Sequence, residues 1–146
     1  MLLNGVFITF VLFFILNALP FAEAVRDFYN ESIRYNVGEL QEDWEKVFEA
    51  YKKLDFSGKT AAFFGCGDQV GYSDNFLDAI GFLAKPFVDN GGNLIGKWST
   101  DGYEFDASEA LDGDEFLGLG LDNDNQEDET EERLIIWAEL IRDDFK

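Results

Sequence analysis

Two segments of the chain combine a tyrosine with glycine and a polar side chain. The first is Tyr35-Asn36-Val37-Gly38, and the second runs from Gly65-Cys66-Gly67-Asp68 through Tyr72 to Asn75. Two tyrosines so placed could stack on both faces of a flat heterocycle, while backbone N–H groups of the glycine loop bind the ring edge. Asp68 could accept a hydrogen bond from a ring imide N–H. The alternative is that both tyrosines are half-buried packing residues of ordinary loops.

Other motifs with chemical meaning fail on inspection. The segment Asp122 to Gln126 begins like a calcium loop, but Glu127 replaces the turn glycine and Arg133 replaces the bidentate glutamate. Gly65-x-Gly67 is followed by Val70 where a dinucleotide fingerprint needs glycine, and no Lys-Ser/Thr pair follows to make a P-loop. These patterns therefore predict neither a calcium loop nor a nucleotide-phosphate loop.

Composition excludes several further classes. The 146 residues contain 30 acidic and 11 basic side chains and no histidine, which gives a formal net charge of -19. Nucleic-acid binding depends on Lys and Arg, so this charge argues against it. Without histidine, and with Cys66 as the single cysteine, there is no Ser-His-Asp triad and no multi-ligand zinc site. An apolar share of 47% indicates a folded core rather than a disordered acidic chain.

Hydrophobic periodicity predicts alternating helices and strands. Strands are predicted at Lys59–Phe64, Leu94–Trp98 and Phe116–Leu121, and helices at Gly38–Leu54, Asp74–Asn90 and Thr130–Phe145. The sequence Asn90-Gly91-Gly92 is typical of a helix C-cap, whereas Pro86 is unusual inside a helix. The alternation predicts an α/β fold with a parallel sheet covered on both faces. Residues 99–115 interrupt what could be a single last strand.

The carboxyl ends of parallel strands meet at one edge of the sheet, where ligands bind in such folds. The polar segments at Gly65 and Asp122 follow predicted strands, and the segment at Tyr35 precedes the first predicted helix. All three are therefore expected at this edge. We therefore predict that any ligand binds there.

The amino-terminal residues differ from the rest of the chain. No charge occurs from Met1 to Ala22, and Val6 to Leu16 is an unbroken apolar run. The run is shorter than a membrane-spanning helix, and Ala22-Glu23-Ala24 resembles a signal-peptidase site, although no Lys or Arg precedes the run. Residues 1–24 are thus predicted to be a signal or anchor, a buried strand, or a start that does not belong to the functional protein. Residues 25–146 are predicted to be one domain.

Four segments together resemble one known family. VGELQEDWE (37–45), GCGDQVGYSDNF (65–76), WSTDGYEFDASEAL (98–111) and GLGLDNDNQ (118–126) are similar to the carboxyl-terminal part of long-chain flavodoxins, over about residues 35–146. The resemblance implies a flavodoxin-like, doubly wound parallel sheet of order 2-1-3-4-5, with the long-chain insertion splitting its last strand. It also implies non-covalently bound FMN and electron transfer between redox partners.

The resemblance implies a role for each matching residue. Tyr35 would be the inner aromatic against the flavin, and Tyr72 would stack on the outer face. The Asn36-Val37 peptide, beside Gly38, would present a carbonyl to N5–H of the reduced ring. Gly65, Cys66, Gly67, Asp68 and Asn75 would hold the pyrimidine and ribityl edges, with Asp124 near the ribityl chain. Leu77 stands where relatives often have glutamine, which removes one polar contact.

The chain departs from the family pattern at its beginning. Residues 1–34 contain no T-x-T-G-x-T loop of the kind that binds the FMN phosphate at a helix N-terminus, nor the first strands of the family sheet. We expect either an incomplete version of a longer flavodoxin or a relative that holds FMN weakly. The remaining strands would then expose an unpaired edge.

The function implied is a low-potential electron carrier rather than an enzyme. Its partners would be basic surfaces of a reductase and of acceptor proteins, met transiently, because the acidic envelope steers such encounters. No Lys or Arg occurs from Trp98 to Glu132, which makes this stretch the predicted steering surface. The alternative is an FMN-free remnant that acts as an acidic interaction module. The family works inside cells or organelles, whereas a signal or anchor in residues 1–22 would direct the chain to a membrane or beyond it.

Overall fold

The computed structural model describes residues 48–145 and, for residues 9–12, the backbone alone. The strands are β1 (Thr9–Leu12), β2 (Thr60–Cys66), β3 (Asn93–Ile95), β4 (Trp98–Ser99), β5 (Leu111–Asp112), β6 (Glu115–Phe116) and β7 (Leu119–Leu121). The helices are α1 (Asp78–Asp89) and α2 (Glu127–Ile141), with single 3-10 segments at Ser73–Asn75 and Arg142–Phe145. Residues 48–51 are helical and belong to the predicted first helix, which ends there rather than at Leu54; its residues 38–47 lie outside the described residues.

Strand β2 is the centre of the main sheet. β3 pairs in parallel with its first half, Ala61 opposite Leu94, and β7 pairs in parallel with its second half, Cys66 opposite Leu121. The two short strands thus lie one after the other along the same edge of β2. This arrangement confirms an interruption in one strand of the main sheet, although it spans residues 96–118 rather than 99–115.

The other edge of β2 is paired with β1, which lies in the amino-terminal apolar run. β1 runs antiparallel to β2, with Thr9 opposite Gly65 and Leu12 opposite Ala62. A central strand with one bare edge would leave its N–H and C=O groups without partners, and β1 supplies them. The sheet is therefore mixed rather than purely parallel, and the edge expected to be exposed is covered. The strand alternative for the apolar run agrees with this backbone.

Both faces of β2 are buried, as its continuous apolar sequence predicts. Ala61 and Phe63 point into one core, which the α1 side chains Ile80, Leu83, Ala84 and Phe87 complete. Ala62 and Phe64 point into a second core, completed by Leu134, Trp137, Ala138 and Ile141 of α2. The alternation of side chains along a strand thus places one helix on each face. In the described part of the chain, no helix has both the length and the apolar character needed to cross a membrane.

Helix α1 is shorter than predicted at its beginning and ends as predicted. Leu77, with φ of 60°, separates it from the 3-10 segment Ser73–Asn75, and α1 runs through Pro86. At the other end, Gly91 has φ of +90°, and Gly92 N–H donates to the Phe87 carbonyl at 2.9 Å. This is a Schellman cap, in which glycine tolerates the left-handed backbone. Helix α2 begins at Glu127, before the predicted Thr130.

The insertion between β3 and β7 forms a sheet of its own, which corrects the two longer strands predicted there. β4, β6 and β5 make a small antiparallel sheet in that order, with Trp98 and Leu111 both opposite Phe116. The chain leaves the main sheet after Ile95, where Gly96 has φ of +75°, and the Gly96 carbonyl accepts a hydrogen bond from Trp137 Nε1 at 2.6 Å. A glycine turn fixed by a buried tryptophan therefore divides the predicted strand Leu94–Trp98 between two sheets.

Candidate functional site

The carboxyl ends of β2 and β7 meet directly, which brings two of the three predicted loops together. Cys66 and Leu121 are paired in the last register position, and Gly67 N–H donates to the Leu121 carbonyl at 2.8 Å. The segments 67–75 and 122–126 therefore leave the sheet side by side. This is the edge at which parallel sheets bind ligands.

Asp68 organises the first of these loops. Its Oδ1 accepts hydrogen bonds from Val70 N–H at 3.0 Å, Gly71 N–H at 2.7 Å and Asn125 Nδ2 at 2.9 Å. The bonds from Gly71 and Asn125 are the main reasons that the pKa of Asp68 lies below its usual value, so the side chain is a carboxylate at neutral pH. Its Oδ2 has no hydrogen-bond donor among residues 48–145. The loop thus presents one available carboxylate oxygen.

The absence of a side chain at Gly71 lets the Asp68 carboxylate fold over the turn. A Cβ there would lie 2.2 Å from Asp68 Oδ2, well inside van der Waals contact. The carboxylate therefore folds over a residue without a side chain. The sequence signal for this geometry is the Asp-x-x-Gly spacing, which is typical of turns in which a carboxylate accepts bonds from backbone N–H groups.

Tyr72 follows the turn and is exposed. Its N–H donates to the Asp68 carbonyl at 3.0 Å, its side chain is 41% exposed, and it makes no ring contact with any of residues 48–145. Asn75 lies one turn further on, half-buried, with its N–H on the Tyr72 carbonyl at 3.3 Å. Tyr72 is thus partly exposed at the carboxyl edge of the sheet, and both the stacking role and the packing role remain predictions.

A fully buried carboxylate joins the two loops. Asp122 has 0% exposure and follows β7 directly. Its Oδ2 accepts from Gln69 N–H at 3.0 Å and Gln69 Nε2 at 2.8 Å, and its Oδ1 from Asp124 N–H at 3.2 Å and Asn125 N–H at 3.1 Å. Asn125 Nδ2 also lies 2.9 to 3.0 Å from both carboxylate oxygens. The buried negative charge of Asp122 is therefore stabilised by hydrogen-bond donors.

The insertion is attached to both loops by polar contacts. Glu104 N–H donates to Gln69 Oε1 at 2.5 Å, and Gln126 Nε2 donates to the Gly102 carbonyl at 2.7 Å. Ser73 Oγ donates to Asp106 Oδ2 at 2.6 Å, and the Ser73 carbonyl accepts from Asp106 N–H at 2.9 Å. Residues 102–107 thus form a third wall beside the two loops.

The structure places the predicted site residues as follows. Gly65, Cys66, Gly67, Asp68, Tyr72, Asn75 and Asp124 lie on the two adjoining loops or at the end of β2. Tyr35, Asn36, Val37 and Gly38 lie outside the described residues. Leu77 is 2% exposed and packs beneath Gly67 and Gly120, so it is a core residue there.

Two residues that join the loops of the site are not predicted as site residues from the sequence. Gln69 and Asp122 are buried and joined across 53 positions of sequence. Nothing local distinguishes a buried glutamine from an exposed one. Asp122 carried one usable signal, since it immediately follows an apolar strand and precedes a polar turn, as a residue that organises a strand end does.

Comparisons with known proteins agree with this geometry. The flavodoxin family model matches residues 15–137. The chain belongs to the flavodoxin family. The match begins well before Tyr35, so the flavodoxin relationship extends further toward the amino terminus than the four quoted segments.

Curated flavodoxins are similar over most of this chain. The flavodoxin of a Nostoc species is 49% identical over 111 residues, which are 76% of this chain and 65% of that protein. The flavodoxin of a Picosynechococcus species is 46% identical over 126 residues, or 84% and 74% of the two chains. This chain therefore spans about two thirds of the length of the Nostoc flavodoxin.

A solved flavodoxin has the same fold. The crystal structure of Fusobacterium nucleatum flavodoxin bound to flavin mononucleotide superposes with a TM-score of 0.67 at 32% identity. The alignment covers 70% of this chain and 62% of that one. The flavodoxin-like α/β fold is thus shown both by the sheet described above and by this neighbour.

Proposed function

We propose that this chain carries electrons on non-covalently bound FMN between a reductase and acceptor proteins. One observation carries the proposal: an exposed tyrosine, Tyr72, stands beside the ionised Asp68 on a loop at the carboxyl edge of a flavodoxin sheet. Membership of the flavodoxin family supports the ligand, because the Fusobacterium nucleatum relative is bound to flavin mononucleotide.

The chemistry of the described residues fits an isoalloxazine ring. A flat aromatic ligand needs a stacking partner and hydrogen-bonding groups at its polar edge. The partly exposed ring of Tyr72 would supply the first, and Asp68 Oδ2, which lacks a donor within residues 48–145, would supply an acceptor for an imide N–H. The third wall at residues 102–107 narrows the approach to the same edge.

Each predicted residue then has a defined role. Tyr72 would stack on the outer face of the ring and Tyr35 on the inner face. The loop Gly65-Cys66-Gly67-Asp68 and Asn75 would hold the pyrimidine and ribityl edges, and Asp124 would lie toward the ribityl chain. The Asn36-Val37 peptide, next to Gly38, would offer a carbonyl to N5–H of the ring. FMN itself supplies the redox chemistry, so the protein orients and tunes the cofactor and is not a catalyst.

The charge of the chain suits a low-potential carrier. A net charge of -19 disfavours adding negative charge to a bound ring, which lowers its reduction potential. The same field attracts basic surfaces of redox partners into brief, salt-sensitive encounters. The stretch Trp98 to Glu132, which lacks Lys and Arg, is the proposed steering surface. The FMN-free interaction module is not favoured by the family relationship.

Titration of the purified chain with FMN tests the proposal. We expect stacking to quench flavin fluorescence, and binding to the native state to raise the melting temperature. Tyr72→Ala should weaken FMN binding about tenfold, corresponding to about 1.4 kcal/mol. Leu140→Ala is the matched control, because Leu140 is also exposed but lies near the far end of α2. Unchanged FMN fluorescence with the wild-type chain would overturn the proposal and favour the interaction module.

A further inference from the structure

The two loops of the candidate site share one buried charge. Asp122 lies on the second loop, yet its Oδ2 is bound by both the backbone and side-chain nitrogens of Gln69 on the first, at 3.0 and 2.8 Å. Gln69 is itself 4% exposed. The contact therefore joins two buried polar groups across the loops, without intervening solvent.

Asn125 extends this contact to the proposed ligand residue. Its side-chain Nδ2 lies 2.9 Å from Asp68 Oδ1 and 2.9 Å from Asp122 Oδ2. One amide group thus bridges the buried carboxylate and the exposed one. Because Asp122 fixes the position of the Asn125 amide, that amide orients the Asp68 side chain. Asp68 Oδ1 then accepts its hydrogen bond, and Oδ2 remains for another donor.

We propose that Asp122 is a positioning residue of the site, which sets the Asp68 carboxylate through Asn125 and fixes the first loop through Gln69. The inference rests on the proposed function for its ligand but not for its geometry. Asp122 itself is buried and therefore acts through other residues rather than by touching the ligand.

Charge compensation gives the physical reason. A carboxylate without solvent is costly unless donors surround it, so the donors of both loops are held in the positions that satisfy Asp122. Loop residues that would otherwise each lose conformational freedom on ligand binding are already ordered. A site prepared in this way binds more tightly than the same residues on independent loops.

The first test needs no ligand. The pKa of Asp68 is measured by carbon-detected NMR titration of the carboxyl groups, with Asp68→Asn identifying its signal. In Asp122→Asn an amide replaces the buried acceptor, and in Asn125→Ala the bridge is removed. We expect the Asp68 pKa to rise in Asn125→Ala, because the Asn125 hydrogen bond helps to lower it. In Asp122→Asn the weakened bridge raises the Asp68 pKa while the loss of a neighbouring negative charge lowers it, so Asn125→Ala decides this test. Asp114→Asn, which changes an exposed carboxylate outside this network, should leave the Asp68 pKa unchanged.

The second test measures FMN binding by fluorescence quenching. We expect the Kd to increase about tenfold or more in Asp122→Asn and several-fold in Asn125→Ala, with no change in Asp114→Asn. Thermal unfolding of the apoproteins shows whether each variant is folded. If Asp122→Asn does not fold, Asn125→Ala decides, because Asn125 is exposed and its removal leaves the core intact.

The two proposals fail in different ways. If wild-type protein binds FMN and both folded variants bind it equally well, the positioning role is overturned while the proposed function stands. If wild-type protein does not bind FMN, the proposed function fails. The positioning role is then tested only by the Asp68 pKa measured in the NMR titration. An Asp68 pKa that is the same in wild type and Asn125→Ala would overturn it in that case.

Discussion

Tyr103 is the residue that ties the insertion to the main sheet. Its hydroxyl donates to the Gly120 carbonyl in β7 at 2.6 Å, and its ring packs edge-on against Phe116 at a centroid distance of 5.3 Å. The Arg133 guanidinium lies 4.3 Å from the ring centroid. The polar hydroxyl of Tyr103 therefore contacts strand β7 of the main sheet, and its apolar ring contacts strand β6 of the insertion.

This environment predicts a pH dependence of stability. Burial raises the pKa of Tyr103 from 10.0 to about 12. Because the unfolded chain loses the proton first, the contribution of Tyr103 to stability is complete below about pH 10 and declines as the pH rises toward 12. We expect the free energy of unfolding in urea to fall across this window. Absorbance of ionised tyrosine at high pH provides an independent measure of the titration.

Tyr103→Phe is the control for this prediction. The variant lacks the hydrogen bond to Gly120 and should be less stable by about 1 kcal/mol at neutral pH. Its stability should decline less between pH 10 and 12 than that of the wild type. Tyr51, whose pKa burial also raises, titrates in both proteins, so the difference between the two curves reports Tyr103. Parallel curves would contradict the prediction.

At the scale of elements, α1 is in close contact with the insertion through a glycine. A Cβ at Gly81 would lie 2.1 Å from the Glu109 carbonyl oxygen and 2.9 Å from Ala110 N. Ala110 is fully buried in the same core. The helix and the backbone of the insertion therefore meet without an intervening side chain, which only glycine allows.

Gly81→Ala distinguishes the effect of helix propensity from the effect of packing, because the two predict opposite changes in folding stability. Alanine in a helix interior is favoured over glycine by about 1 kcal/mol. The clash with a backbone carbonyl is expected to outweigh this gain, since overpacking typically costs about 1–3 kcal/mol and the obstacle is not a flexible side chain. We therefore expect the variant to be less stable than the wild type in urea unfolding.

The neighbouring Ala79→Gly variant calibrates the propensity scale. It should lower stability by about 1 kcal/mol, with little effect on the insertion. If Gly81→Ala were more stable than the wild type by a similar amount, the close contact between α1 and Glu109 would not exist in solution.

At the scale of the whole molecule, negative charge dominates. The net charge is -19, and most of the described ion pairs, such as Lys85–Glu109 and Lys97–Asp112, lie at the surface, whereas the Arg133–Glu129 pair has a buried guanidinium. Exposed pairs contribute little to stability. Repulsion among the many unpaired carboxylates therefore outweighs the local attractions and destabilises the folded chain.

Salt should accordingly stabilise this protein. Raising the ionic strength from about 0.01 M to about 0.15 M shortens the Debye length from roughly 30 Å to roughly 8 Å and screens this repulsion. We expect the melting temperature of the apoprotein to rise over this range, by several degrees. The same rise should occur with sodium chloride and with choline chloride, because ionic strength rather than a bound cation is responsible. A melting temperature that falls with salt would show that local ion pairs dominate instead.

Local sequence patterns are sufficient to predict the layered α/β fold and to predict the edge of the sheet at which a ligand would bind. The apolar run at Lys59–Phe64, the helical period of Asp74–Asn90 and the Asn90-Gly91-Gly92 cap are local patterns, and the structure confirms a strand, a helix and a cap there. Parallel strands with connecting helices bring their carboxyl ends to one edge, so Asp68 and Asp124 could be placed together before any coordinates. Family-specific segments added the expectation of a flavin.

Only the tertiary structure decided which groups hold that edge together. Gln69 meets Asp122 across 53 positions, and β1 pairs antiparallel with β2 across a similar separation. Such contacts depend on which polar groups, distant in the sequence, become buried next to each other. The types and spacing of residues along the chain do not reveal this. The division of Leu94–Trp98 between two sheets has the same origin, because the turn at Gly96 is held by a tryptophan 41 positions away. The hydrophobic periodicity of the sequence indicates which face of a helix or strand is buried. Hydrogen bonds between buried loops, in contrast, form only when the elements have packed together.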